Sequence, residues 1–293
     1  MPRQMTMYRE RPEVVGRLCI LGAAALFSTG GAAIKAATLT GWQIACLRAF
    51  VALVMLALFM PRHGGSRGTM AVAIGVAQGL TMVLFALANT MTTAANAIFL
   101  QCTGQLYMPL LAPLLLEEKV TRADLWMMLA VAAGMSLFFF GTDPAQATAP
   151  QPRLGDVVAI ASGATWALTV IGIRHAAREH GGGVDEKAAV MWGNLIAFVL
   201  ALPMALPFAD IGWRDAAVVL YLGTFQVGLA YRLLARGMRT VPAFEASLLI
   251  LFEPVLNPIW AYLVHGESPS SWALAGATVI GSVTLVRAIR TRQ

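Results

Sequence analysis

The stretch Leu248–Glu267, LLILFEPVLNPIWAYLVHGE, decides how the chain is read. Nearly all of it is apolar enough to lie in hydrocarbon. Yet Glu253 stands near its middle, followed at once by Pro254 and, four residues on, by Pro258. A charged side chain at the bilayer centre costs roughly 2.5–3.5 kcal/mol on insertion scales. Glu253 must therefore be protonated, paired or facing water. Each proline lacks an N–H and frees a carbonyl about one turn earlier. A kink with its carbonyls turned into a cavity is the expectation, and Glu253 is left with several roles. It can bind an ammonium group, carry a proton, pair with a cation such as Arg48, or pin the kink by hydrogen bonds.

The rest of the chain repeats the pattern of long apolar blocks. Of 293 residues, 58% are hydrophobic and 12% charged, against about 25% charged in a soluble domain. A membrane helix needs about 20 apolar residues. Ten blocks fit, at 14–34, 43–60, 70–88, 94–116, 123–140, 156–174, 188–208, 216–235, 243–264 and 271–287. They predict an all-α integral membrane protein with ten spans. The polar head MPRQMTMYRERPE gives no sign of a cleavable signal peptide.

The net charge of +6 raises the question of nucleic acid, and its distribution answers it. With the N-terminus in the cytoplasm, 17 of the 21 basic residues fall on inside segments, leaving Lys35, Arg48 (near the outer end of the second span), Arg153 and Arg214. The positive-inside rule accounts for this bias, so both termini are expected in the cytoplasm and no nucleic acid is implied. Trp42, Trp126, Trp213 and Trp272, near span ends, read as interfacial anchors. Cys19, Cys46 and Cys102 lie within apolar blocks without metal spacing. No metal and no cofactor is implied.

The longest polar break, GTDPAQATAPQPRLGD, leaves five spans on each side. It divides the chain into repeats at 1–141 and 155–293 with an extracytoplasmic linker at 142–154. The halves share a register. Phe27 and Lys35 correspond to Trp166 and Arg174, Gly75 and Gln78 to Gly223 and Gln226, Pro109 to Pro258, and Glu118 to Glu267. Five is odd, so the second copy enters the membrane from the opposite side and the repeats are inverted. Secondary transporters are often built this way, with the substrate site near the midplane between the repeats.

Two five-span repeats, the openings ALF and GATW within each first helix, and the Pro-containing fourth helix ending in EPVLNPIWAYLVHGE resemble the EamA type of the drug/metabolite transporter superfamily. Within it the chain is similar to YddG-type exporters of aromatic amino acids. The resemblance covers nearly the whole chain. It implies a ten-helix basket exporting small metabolites from the bacterial cytoplasm. The first repeat departs from the pattern with EEK where the second has GE, so no role passes to Glu117 or Glu118.

Hydrogen-bonding side chains cannot be satisfied by lipid, so their census sorts the spans. The second has no Ser, Thr, Asn or Gln, the fifth only Ser136 and the seventh only Asn194. Spans 1, 3, 4, 6, 8 and 9 are expected to line the pathway. Its polar residues are Gln78, Asn96, Gln101, Gln226, Ser247, Glu253 and Asn257, and its aromatic ones Phe27, Tyr107, Trp166 and Tyr231. Pro109, Pro113, Pro254 and Pro258 are the expected hinges. The tenth span carries Thr278, Ser282 and Thr284, read as back-bonded or at an interface, and Ala277 and Gly281 at a spacing that marks close helix packing.

A mostly apolar cavity with a few polar groups suits amino acids, aromatic ones included. Aromatic walls also suit a lipophilic cation, which makes a multidrug exporter the alternative. A non-transporting membrane scaffold is the reading from another class. Enzyme chemistry finds no support. All four histidines fall in loops or at span ends, and no HExxH, DDxxD or Walker motif occurs. The expected partners are a small-molecule substrate and the lipid bilayer, with the chain acting as a monomer.

Overall fold

A computed structural model describes residues 3–59, 68–104, 107, 122–140, 148–179, 186–208, 211–238, 240–241, 249–250 and 252–290. Ser247, Pro109 and Pro113 lie outside these residues. The described chain is helical: α1 (Arg3–Ser28), α2 (Gly30–Lys35), α3 (Gly41–Phe59), α4 (Thr69–Met91), α5 (Ala94–Gln101), α6 (Arg122–Phe140), α7 (Pro152–Glu179), α8 (Glu186–Ala205), α9 (Trp213–Tyr221), a π-helical segment (Leu222–Leu229), α10 (Ala230–Met238), α11 (Phe252–His265) and α12 (Ser271–Arg290). Helices are what apolar blocks of this length must form in hydrocarbon, because each backbone group then pairs within its own segment.

Among the described residues, six stretches are long and apolar enough to cross a membrane. They are Val14–Lys35, Gly41–Leu58, Thr69–Met91, Pro152–Gly172, Ala188–Ala205 and Trp213–Leu234. They coincide with expected spans 1, 2, 3, 6, 7 and 8. Helices α6 and α12 fall on the fifth and tenth blocks, and α5 and α11 on the described parts of the fourth and ninth.

Three boundaries differ from expectation. Helix α7 starts at Pro152, inside the expected linker, because proline is pre-organised for a first helical position. Helix α8 stops at Ala205 rather than 208, since the residue before Pro207 is pushed out of the helical region. The first span breaks at Thr29. There Ser28 Oγ donates to Ala25 O and Thr29 Oγ1 to Leu26 O, both at 2.7 Å. Such back-bonding bends helices.

Helix α4 packs on α7 and α8, while α1 packs on α10 and the π-helical segment on α3. Helix α5 packs on α7 and α11 on α1; α3 faces α8, and α6 faces α12. Small residues permit close approach, and one core cluster is built largely of them, including Ala45, Ala49, Ala52, Ala86, Ala197 and Ala201. A Cβ on Gly75 would stand 2.5 Å from Trp192 Cβ, and one on Gly223 2.5 Å from Val51 Cβ. Large apolar side chains such as Leu58, Leu129, Leu195 and Met204 face outward, as a lipid-bathed surface requires.

Among the described residues, an added Cβ on Gly281 meets nothing within 4 Å. Trp42, at the start of α3, is half-buried against a core cluster, and Trp126, Trp213 and Trp272 are exposed like interfacial anchors.

Candidate functional site

Three groups of polar side chains lie within this bundle. The first surrounds Tyr231 on α10. Phe27 meets its ring edge-on at a centroid distance of 5.1 Å. Glu253 and Arg48 both act on Tyr231 electrostatically, and its hydroxyl faces Gln78. That approach closes no hydrogen bond, because neither Gln78 amide atom has a partner although the residue is fully buried.

Arg48 was expected near the outer end of its span. It instead lies seven residues into α3, about 10 Å along the axis, and is almost wholly buried. Its Nη2 donates to Met82 O. Among the described residues it makes no ion pair with Glu253. Glu253 is half-buried in the first turn of α11 with Pro254 beside it, and Pro258 is the proline inside that helix.

The second group gathers at the bend of the first span. Thr29 Oγ1 lies 2.8 Å from Tyr221 Oη, and Trp260 Nε1 donates to Ser28 Oγ at 3.0 Å. Gln226 comes against Gly30, and Asn257 against Gly31. Gln226 sits in the π-helical segment, a geometry found mostly as single-turn insertions and frequently at functional sites.

Other expected pathway residues are consumed in bonds between helices. Gln101 Nε2 donates to Ser162 Oγ at 2.8 Å, and Ser162 Oγ donates to Thr81 O at 3.2 Å. Asn96 Nδ2 donates to Asp156 Oδ1 at 3.2 Å. Trp166 and Tyr107 are half-buried.

The third group was not foreseen as a site. It closes the end of the bundle where α2, α4, α5, α7 and α11 terminate. Helix α11 ends at His265, and Gly266 follows with φ of 65°, the left-handed C-terminal cap that glycine favours. The cap swings Glu267 onto the start of α5, where its Oε1 accepts from Ala94 N at 3.0 Å. A helix N-terminus favours a carboxylate.

Lys35 Nζ lies 3.6 Å from Glu267 Oε2, donates to Thr92 O at 2.8 Å and also donates to Thr148 O. Thr92 Oγ1 in turn donates to Asp156 Oδ1 at 2.7 Å, and His265 Nε2 is 2.8 Å from Ala32 O. Burial pushes the Glu267 carboxyl above the ordinary glutamate range, while Lys35, the Ala94 N–H and His265 pull it back. The sequence did hold a signal: a lysine ending the first span and a glutamate following the ninth, of opposite charge and on the same expected side.

Among the described residues no group of three or more His, Cys, Asp or Glu side chains is arranged to hold a metal. The polar groups are instead amides, hydroxyls and single charges, suited to holding and releasing a small solute.

Comparison with known proteins agrees. Residues 153–287 match the EamA-like transporter family. The threonine/homoserine exporter RhtA of Escherichia coli K12 is 25% identical over 246 residues, covering 81% of this chain and 79% of RhtA. An uncharacterized transporter of Clostridium kluyveri is 24% identical over 227 residues, covering 75% of this chain and 72% of its own. A solved crystal structure shares the fold at a TM-score of 0.66 and 18% identity, covering 94% of this chain and 97% of the other. Residues 153–287 thus carry an EamA-like transporter domain, and over most of its length the chain is similar to membrane transporters.

Proposed function

We propose that the protein is a secondary exporter of small metabolites, amino acids above all and aromatic ones among them, working by alternating access between two inverted five-helix repeats. The repeats are 1–141 and 155–293, joined by the linker 142–154. Both termini lie in the cytoplasm of a bacterium whose inner membrane the monomer spans ten times.

The observation that carries this reading is the two-fold character of the packing. In terms of spans, 3 packs on 7 as 8 packs on 2, 3 on 6 as 8 on 1, and 4 on 6 as 9 on 1, while 2 faces 7 and 5 faces 10. Each of these contacts has its counterpart when five is added to or taken from the span number. The repeat-equivalent Gln78 and Gln226 are both buried with amide atoms lacking partners. The repeat-equivalent Gly75 and Gly223 both permit close contacts. Such pairs let one repeat rock against the other around a central site.

The Lys35–Glu267 group supports the same reading. It ties the first repeat to the second at the expected outer end, as a closed gate does. The amino-acid substrate class rests on the RhtA likeness together with neutral amides beside aromatic rings. Phe27, Tyr231 and Glu253 together favour one second reading, a lipophilic cation held by ring faces and a carboxylate.

Reconstitution into liposomes separates these readings. Counterflow of radiolabelled L-threonine or L-phenylalanine above protein-free vesicles is expected. Flux of lipophilic cations without amino acids would move the assignment to a multidrug exporter, and no flux of either class would leave a scaffold.

A further inference from the structure

Gln226 and Asn257 face adjacent residues of one helix. A Cβ on Gly30 would stand 2.8 Å from Gln226 Nε2, and one on Gly31 would stand 2.8 Å from Asn257 Oδ1 and 3.0 Å from Asn257 Nδ2. Only glycine lets both carboxamides come this close to the first span. Asn257 is 0% exposed, and neither of its amide atoms has a hydrogen-bond partner. Gln226 is 5% exposed, and its Oε1 is likewise unpartnered. Each unsatisfied buried group of this kind costs about 1–3 kcal/mol, a cost that a bound polar solute removes.

The surroundings are built rather than loose. Trp260, one turn after Asn257, is pinned by its Nε1 bond to Ser28, and Tyr221 contacts Thr29. Both rings are thus fixed on the two residues that precede the glycines. The π-helical turn directs Gln226 to the same step.

We propose that Gln226 and Asn257, seated across Gly30–Gly31, form the subsite that grips the zwitterionic headgroup of an α-amino acid. The carboxamide is suited to this because one end donates and the other accepts. Asn257 Nδ2 donates to the carboxylate, while Gln226 Oε1 and Asn257 Oδ1 accept from the ammonium. Two neutral amides satisfy both charges of a zwitterion and match neither a lone anion nor a lone cation. Discrimination is strong at such sites, because a ligand lacking one group leaves a buried amide unpaired. The subsite rests on the amino-acid reading above and deepens it.

The test uses the full chain in liposomes loaded with L-threonine. Counterflow of labelled L-threonine is challenged with L-threonine, its methyl ester, which lacks the carboxylate, and N-acetyl-L-threonine, which lacks the ammonium. L-Threonine is expected to compete at least about tenfold more strongly than either analogue. Asn257→Leu and Gln226→Met are each expected to weaken L-threonine by a similar factor. The advantage over the analogue each amide reads should also shrink to within about twofold, while melting stays cooperative.

Wild-type protein that moves L-threonine but is inhibited as strongly by the ester or the acetyl compound as by L-threonine itself overturns the subsite and leaves the exporter standing. This arm needs no variant to fold. Folded variants with wild-type discrimination overturn it as well. Wild-type protein that moves no amino acid overturns the exporter reading itself, and the subsite with it.

Discussion

Replacing Lys35 by methionine tests the proposed gate directly. The Lys35 and Glu267 side chains are each only 2% exposed, so water offers the carboxylate no substitute for the ammonium while the gate is closed. The variant removes charged hydrogen bonds to Thr92 O and Thr148 O and leaves Glu267 with the Ala94 N–H as its protein donor. Breaking a buried pair in this way costs about 3–5 kcal/mol. Opening the end to water relieves that cost. A shift of about 3 kcal/mol moves the closed-to-open ratio by roughly 150-fold.

The sign with pH follows from the direction of the Glu267 shift. Burial holds its proton more tightly in the closed state than in an open, hydrated one. The closed form is therefore favoured at low pH and loses ground as pH rises from about 4.3, the ordinary glutamate value, through the raised one. Lys35→Met steepens this dependence, because nothing then opposes the desolvation. Glu267→Gln keeps an acceptor for Ala94 N and leaves Lys35 its two carbonyls, so it costs less, about 1–2 kcal/mol. Adding it to Lys35→Met recovers part of the loss.

The assay is thiol labelling of Ala95→Cys, a buried position one residue past Ala94, with Cys19, Cys46 and Cys102 replaced. Lys35→Met is expected to label about two orders of magnitude faster at pH 8 and to approach the unmodified gate at low pH. Labelling that is unchanged by Lys35→Met, or faster at low pH, would refute the reasoning.

Gly75→Val should push α4 off α8 and cost about 1–3 kcal/mol of stability, because its Cβ meets Trp192 Cβ at 2.5 Å and Gly193 N at 3.0 Å. Gly223→Val should do the same against Val51, whereas Gly281→Ala should leave the melting temperature within a degree or two; equal melting of all three would contradict the packing. Trp260→Phe should lose about 1 kcal/mol with the bond to Ser28, measured as a lower melting temperature that a further Ser28→Ala change does not lower again. Glu253→Gln should retain downhill flux in liposomes. Loss of pH-gradient-driven transport in that variant assigns proton carriage to Glu253, and normal gradient-driven transport eliminates it.

Sequence alone determined the class of molecule, because burial in lipid leaves a plain record. Long apolar blocks predicted helices, and the described helices fall on them. The polar census marked Gln78, Gln226, Glu253 and Asn257 as costly to bury, and it separated α3, α6 and α8 from the rest. The pattern could not say which polar groups would find partners. Gln101 and Asn96 looked as available as Gln226, yet the approach of α5 to α7 spends them on Ser162 and Asp156. Arg48 looked terminal, but its depth depends on where α3 begins.

The Lys35–Glu267 pair joins residues 232 positions apart, and no local periodicity records such a meeting. It exists because Gly266 turns the chain at the end of α11 and because the Thr92–Thr93 link sets the start of α5 beneath it. Helix formation is a local consequence of composition. Satisfaction of a buried amide or charge is decided by what the far end of the chain brings to it, and only tertiary packing supplies that.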